Sequence, residues 1–139
     1  MDGRTTSQLD RIRVATLATV SPDGRPHLVP VVFARDGDDL VTAVDGKPKK
    51  QRALARIANI ARDPRVTLLA HLYDEDWSKL WWVRVDGTAS LEEGGEDFER
   101  ALTILRTRYP QYQSVDLAGP VIRIVIEQAT AWEANPESH

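Results

Sequence analysis

The chain has 139 residues, of which 28% are charged, a formal net charge of -3 and no cysteine. The absence of cysteine excludes disulfides, thiolate metal sites and a cysteine nucleophile, and the net charge argues against general nucleic-acid binding. No apolar run reaches the ~18 residues typical of a membrane span. We therefore expect a cytoplasmic protein with a single domain over 1–139, an N-terminal segment at 1–12 and a loose tail at 134–139.

Alternating apolar residues between turn residues predict six strands. The predicted strands are Arg13–Val20, His27–Phe33, Leu40–Val44, Arg65–Leu72, Leu80–Leu91 and Val121–Trp132. Pro30 cannot donate a ladder hydrogen bond, so the second strand is expected to lie at an edge or to carry a bulge there. Asp86–Gly87 predicts a bulge in the fifth strand.

Two helices are predicted, Lys49–Arg62 and Glu96–Tyr109, because their apolar residues recur at helical spacing and a proline stops each one. A shorter helical pattern covers Thr6–Ile12, with Thr6 or Ser7 as its N-cap. The first three strands follow one another without a helix, which argues against a doubly wound parallel sheet. The pattern favours a mainly β, antiparallel barrel with two helices.

No catalytic residue and no metal site is predicted. The three histidines, His27, His71 and His139, have no carboxylate at metal-ligand spacing. The sequence also contains none of the glycine-rich or nucleophile motifs of common enzymes. If the protein is an enzyme, a cofactor is therefore expected to carry the chemistry.

A basic stretch from Lys47 to Arg65 contains seven Lys or Arg and one acidic residue, Asp63. Cations at the start of a helix oppose its dipole, at a cost of about 0.3–1 kcal/mol each. This placement is explained if the cations and the free backbone N–H groups hold a phosphate. The alternative that stays open is a solvated basic turn.

Trp81 and Trp82 are adjacent on a predicted strand, so their rings should point to opposite faces. One ring is expected in the core. The other is expected to be covered by a partner chain or a planar ligand, or to stay exposed.

Three blocks of the sequence resemble one family. Residues 13–31 (RVATLATVSPDGRPHLVPV), 59–66 (NIARDPRV) and 82–89 (WVRVDGTA) are similar to pyridoxamine 5'-phosphate oxidase-like, FMN-binding split-barrel proteins. The similarity spans 13–91 and weakens over 121–133. Within the family, the short chain and the block 45–66 are most similar to the actinobacterial group of oxidoreductases that depend on the deazaflavin coenzyme F420.

The resemblance implies a six-stranded antiparallel split β-barrel that forms a homodimer, with two cofactor grooves at the interface. It places the cofactor phosphate against basic residues and the ring along the backbone of the hairpin and the third strand, and it closes the site with residues of the partner chain. The phosphate residues are Lys47, Lys49, Lys50 and Arg56, the ring residues are Pro30, Val31, Thr42, Ala43 and Val44, and the closing residues are Trp82 and Arg84.

The implied reaction is hydride transfer from reduced F420 to an electron-poor small molecule such as an enone, a quinone or a tetrapyrrole. The arginine-leucine-proline type of ending found in true pyridoxamine phosphate oxidases is missing, which argues against oxidation of a B6 vitamer. Two alternatives stay open: an FMN-dependent oxidoreductase on the same fold, and a flavin or tetrapyrrole carrier without turnover. Neither nucleic acid nor a membrane is an expected partner.

Overall fold

A computed structural model describes residues 1–44, 50–117 and 119–135, without the side chains of 50–54. Within these ranges the chain forms seven strands, three α-helices and two 3-10 turns. The strands are β1 (Ala15–Val20), β2 (Pro26–Val31), β3 (Ala34–Asp36), β4 (Asp39–Ala43), β5 (Arg65–Leu72), β6 (Trp81–Glu92) and β7 (Val121–Glu133). The helices are α1 (Gly3–Arg11), α2 (Lys50–Arg62) and α3 (Glu96–Arg108), and the 3-10 turns are Trp77–Lys79 and Pro110–Ser114.

The seven strands form one sheet in the order β2-β1-β5-β6-β7-β4-β3, and each neighbouring pair is antiparallel. The two edge strands, β2 and β3, are separated along the chain only by Val32 and Phe33. The Thr42 hydroxyl on β4 donates a hydrogen bond to the Val32 carbonyl at 2.7 Å. The two edges of the sheet therefore meet at this junction, and the expectation of a mainly β, antiparallel architecture is confirmed.

The predicted count of six strands and two helices is wrong for the described part of the chain. The predicted strand His27–Phe33 ends at Val31, and β3 then pairs with β4 on the far side of the sheet. Helix α1 begins at Gly3, earlier than the helical pattern over Thr6–Ile12 suggests. It does so because the Asp2 carboxylate accepts the Thr5 N–H at 2.8 Å and caps the helix in place of Thr6 or Ser7.

Two local predictions are confirmed. Strand β6 shifts register at Asp86/Gly87, and a Cβ at Gly87 would lie 2.3 Å from the Val125 carbonyl oxygen, so the backbones approach too closely for a side chain. Strand β2 lies at an edge of the sheet, which explains how Pro30 is tolerated. The predicted tail 134–139 lies outside the described residues from 136 onward.

Two apolar clusters lie on opposite sides of the sheet. The inner cluster includes Leu17, Leu68 and Val85, and it receives Leu9 from α1 and Ile60 from α2. The outer cluster lies between α3 and the strands β3, β4 and the start of β7. Strand β4 contributes to both clusters, so it is buried on both faces.

Helix α3 covers only part of the outer side of the sheet. The rest, formed by β2, β1, β5, β6 and the end of β7, is called the open face below. It carries large exposed apolar side chains: Leu28, Leu69, Val125 and Trp132. No helix within the described residues has both the length and the apolarity needed to cross a lipid bilayer.

Candidate functional site

The residues predicted to contact a cofactor ring lie together at the β2–β3 junction. The hydrogen bond from Thr42 to the Val32 carbonyl draws the middle of β4 to the end of β2. Pro30 is exposed, whereas the side chains of Val31, Thr42, Ala43 and Val44 are buried. A ring at this position would therefore lie along Pro30 and the backbone rather than among side chains.

The backbone of the junction is held from the end of α3. Arg108 donates to the Phe33 carbonyl at 2.8 Å and to the Asp10 carbonyl at 3.1 Å, and its guanidinium lies 4.9 Å from the centre of the Phe33 ring. The Tyr109 hydroxyl accepts the Phe33 N–H at 3.2 Å and lies 2.9 Å from the Arg13 carbonyl oxygen. Burial lowers the pKa of Arg108, and the charge interaction with Tyr109 opposes that effect.

Neither Arg108 nor Tyr109 was predicted as part of the site. Their sequence signal is only that of the last turn of an amphipathic helix, where a cation complements the dipole. Their role depends on the long-range contact between α3 and the junction. We regard them as positioning residues, because they contact the backbone of the junction and leave its surface free.

The end of β4 is covered by the loop before β7. The Val44 N–H donates to the Pro120 carbonyl at 3.2 Å. A Cβ at Gly119 would lie 2.5 Å from the Val44 carbonyl oxygen, so only glycine fits this approach. Val44 therefore offers a ligand neither its side chain nor its N–H group.

Of the four predicted phosphate residues, only Arg56 has a described side chain. Lys47 and Lys49 lie outside the described residues, and Lys50 is described as the first residue of α2 without its side chain. Arg56 is half-buried on α2. The far end of this helix is fixed to β1, because the Asn59 side-chain amide donates to the Thr19 hydroxyl at 3.0 Å.

The prediction that the paired tryptophans point to opposite faces, with one ring in the core, is confirmed. Trp81 is 2% exposed and belongs to the inner cluster, whereas Trp82 is half-buried on the open face. The Arg84 guanidinium lies 5.6 Å from the centre of the Trp82 ring, a cation–π distance. Its Nε is 3.9 Å from a carboxylate oxygen of Asp86, whose other oxygen accepts the Thr67 hydroxyl at 2.7 Å.

Pro30 and Arg84 share the open face but lie far apart. In register, Pro30 opposes Thr16, Thr16 opposes Leu69, and Leu69 opposes Arg84. Three strand spacings separate the two ends of this row, which corresponds to about 14 Å. The predicted ring residues and the predicted closing residues of one chain therefore cannot enclose the same ring from opposite sides.

A groove of about 470 Å³ lies at the end of the open face. It is lined by Leu69, His71, Leu72, Tyr73, Leu80, Trp81, Trp82, Arg84 and Trp132. Trp82 and Arg84 were predicted from the sequence as site residues, whereas His71, Tyr73 and Trp132 were not. Their convergence depends on the register of β5, β6 and β7, which no single segment of the sequence reveals.

Residues 1–133 match the family model described as pyridoxamine 5'-phosphate oxidase. The chain belongs to this family. No curated protein sequence matches the chain. Membership covers the three blocks that carry the resemblance as well as the region beyond them, including β7.

Solved structures show the same fold. A conserved hypothetical protein from Mycobacterium tuberculosis has a TM-score of 0.80 and 24% identity, over 100% of this chain and 88% of that one. An FAD-binding protein from Mesorhizobium loti has a TM-score of 0.66 and 23% identity, over 94% of each chain. HutZ, the heme storage protein of Vibrio cholerae, has a TM-score of 0.71 and 14% identity, over 95% and 93%. The family fold thus occurs in proteins described as flavin-binding and as heme-storing.

Proposed function

We propose that the protein is a coenzyme F420-dependent oxidoreductase that reduces an electron-poor small molecule. The observation that carries the proposal is the position of the basic stretch relative to β4. Strand β4 ends at Ala43 and α2 begins at Lys50, so Lys47, Lys49 and Lys50 follow directly from the strand with the predicted ring contacts. A ring on that strand and a phosphate on those cations would belong to one ligand.

The residues at the junction fit such a ligand. Pro30 offers a flat apolar surface, the neighbouring side chains are buried, and the backbone is held by Arg108 and Tyr109. An extended basic strip suits F420, which has a phosphodiester and a polyglutamate tail, better than it suits the single phosphate of FMN. This difference supports F420 as the cofactor.

When bound, reduced F420 supplies a hydride from C5 to the acceptor. The contribution of the chain is binding and orientation: the lysines and Arg56 hold the anionic groups, and Pro30 with the β4 backbone sets the plane of the ring. Trp82 and Arg84 of a second copy of the chain would exclude water from the opposite side. The proton that completes the reduction comes from solvent.

The proposal includes a homodimer, because Pro30 and Arg84 of one chain are about 14 Å apart. The exposed apolar side chains of the open face offer a surface for a second copy. In that arrangement Trp82 and Arg84 of one copy close the cofactor site at the β2–β3 junction of the other copy. Size-exclusion chromatography with light scattering tests this point, and a monomer at all concentrations would contradict it.

A cofactor titration tests the central proposal. We expect F420 to bind more tightly than FMN when either is titrated into the purified protein and followed by fluorescence, and we expect reduced F420 to be oxidised by a quinone or enone from a panel. Preference for FMN would overturn the cofactor assignment and favour the FMN-dependent alternative.

A substitution in the basic stretch sharpens this test. Lys50→Ala is expected to weaken F420 binding by about 1–3 kcal/mol, the cost of losing one charged hydrogen bond. Arg25→Ala, in the exposed turn between β1 and β2, removes a cation outside the stretch and is the matched control. Equal affinities of the two variants would mean that Lys50 does not hold the phosphate.

A carrier without turnover is the second candidate. It is favoured by the fold shared with HutZ, described as a heme storage protein, and by the lack of any predicted acid, base or nucleophile. Tight binding of F420 or of a tetrapyrrole without oxidation of reduced F420 by any acceptor would support it. Turnover on one acceptor would exclude it.

A further inference from the structure

We propose that the groove on the open face binds a planar aromatic anion, and that such anions are the acceptor class of the enzyme. This second part rests on the proposed function. The groove is formed by side chains from three strands, and its volume of about 470 Å³ lies within the ordinary range for small-molecule sites.

The first support is an aromatic strip across the three strands. In register, His71 on β5 opposes Trp82 on β6, and Trp82 opposes Trp132 on β7. Residues directly opposite in antiparallel strands share a face, with Cβ atoms about 4.5–5.5 Å apart. The three rings therefore lie side by side over about 10 Å, a width that matches two or three fused six-membered rings. Tyr73 and Trp81 add two further aromatic side chains to the lining.

The second support is the charge of the groove. Among the nine described residues that line it, Arg84 is a permanent cation and none is a carboxylate. Arg84 lies over Trp82 at 5.6 Å, so its guanidinium is at the margin of the strip. Its ion pair with Asp86 is loose, at 3.9 Å, and both side chains are exposed to solvent. The guanidinium thus remains able to pair with a sulfonate or carboxylate on a ligand.

The third support is the position of the strip relative to the proposed dimer. Trp82 and Arg84 are the residues that would close the cofactor groove of the other copy. A planar acceptor on the strip would therefore lie beside the cofactor site of the other copy. For a quinone, the acceptor gains one hydride from reduced F420 and one proton from solvent, so that it becomes the hydroquinone while F420 is oxidised by two electrons.

The test compares two ligands that differ in charge, anthraquinone-2-sulfonate and the uncharged 2-(hydroxymethyl)anthraquinone. Each is titrated by calorimetry into the protein without cofactor. We expect the sulfonate to bind about tenfold more tightly, since a charge-assisted hydrogen bond is roughly twice as strong as a neutral one. Arg84→Met is expected to remove this preference.

Further variants separate stacking from charge. Trp132→Leu is expected to weaken both ligands about fivefold, through loss of an aromatic contact. Tyr73→Ala provides a second variant at an exposed lining position, and circular dichroism checks the fold of each. Thr103→Ser, on the solvent side of α3 and outside the groove, is the control and should bind as the parent does.

The outcomes distinguish this inference from the proposed function. Absence of saturable binding, or equal affinity for the two ligands with no effect of Arg84→Met, would overturn the groove assignment even if F420 turnover is observed. Sulfonate preference that depends on Arg84, in a protein that prefers FMN, would support the groove while the cofactor assignment fails. With F420, a rise in KM for the sulfonated quinone alone in Arg84→Met would support both.

Discussion

The outer side of the sheet has two halves with similar sequence patterns and different surroundings. On the half formed by β3, β4 and the start of β7, Val41 and Val121 are fully buried beneath Leu105 of α3. On the open face, Leu28 is 62% exposed and Trp132 43%. The chain thus covers one half with its own helix and leaves the other half apolar and accessible. A large exposed apolar surface of this kind is typical of a binding site.

The two halves also differ in how they hold an arginine. Arg123 on the covered half is 7% exposed and bridges Asp36 at 2.9 Å, Asp39 at 3.2 Å and Glu92 at 2.9 Å. Arg84 on the open face has a 47% exposed side chain and one carboxylate at 3.9 Å. Arg123 therefore stabilises the fold through these three ion pairs. Arg84 can exchange its weak ion pair for a ligand, since exposed pairs contribute little to stability.

The largest expected effect is the loss of the buried arginine. Arg123→Met leaves Asp36, Asp39 and Glu92 close together without their cation, and it should lower the free energy of unfolding by about 3–5 kcal/mol. Arg84→Met is the matched control and should change it by about 1 kcal/mol or less. Urea denaturation measures both. Similar losses in the two variants would mean that the two arginines do not differ in role.

Two leucines, Leu105 and Leu69, allow the covered half and the open face to be compared without a change of charge. Leu105→Ala removes a fully buried side chain from α3 and should lower the free energy of unfolding by about 2–5 kcal/mol. Leu69→Ala removes the same atoms from the open face, where Leu69 is 37% exposed. We expect Leu69→Ala to lower the free energy of unfolding by about 1 kcal/mol or less, because a partly exposed side chain gains only part of its transfer free energy on folding. A loss at Leu69 as large as that at Leu105 would show that the open face is packed in solution.

Several elements of the fold can be predicted from the sequence, but the way in which the sheet brings them together cannot. The prediction for α3, Glu96–Tyr109, matches the helix found, because its apolar spacing, acidic first turn and Pro110 are local signals. The bulge at Asp86–Gly87 is local for the same reason. Strand β3 was missed because three residues with two charges carry no alternation, and their pairing comes from β4.

The candidate site likewise combines residues that have a local sequence signal with residues that have none. Trp82 and Arg84 stand in one recognisable block, so they were predicted as site residues. Trp132 and His71 join them only through the register of the sheet. Arg108 reaches the β2–β3 junction across 75 residues of chain, a contact that is set by packing of α3 and carries no local signal.

The acid dependence of stability offers a smaller test of the covered half. A hydrogen bond from Arg100, and then one from Arg123, lowers the pKa of Asp36 below its ordinary value of 3.8, and burial opposes the shift. Because the folded-state pKa is depressed, this stabilisation is present above pH 3.8 and is lost as the pH falls through the folded-state pKa.

Arg100→Gln should therefore destabilise the protein slightly at neutral pH, because Asp36 loses the first of the hydrogen bonds that lower its pKa. The difference from the parent should narrow as the pH is lowered below 3.8. Arg84→Gln is the control on the open face and should stay within about 0.5 kcal/mol of the parent throughout. If the difference in the free energy of unfolding between Arg100→Gln and the parent does not change with pH, the protonation of Asp36 is not the cause of that difference. Urea denaturation across the acid range measures each difference.

The smallest expected effect on stability lies on the open face itself. Leu28→Gln replaces a side chain that is 62% exposed, so the free energy of unfolding at low protein concentration should change by about 0.5 kcal/mol or less. If a second copy covers this face, however, the parent protein gains stability as its concentration rises, because association stabilises only the folded form. Leu28→Gln should reduce that gain, whereas Thr103→Ser, on the solvent side of α3, should leave it intact. A Tm independent of concentration in the parent would mean that the open face is left for small ligands alone.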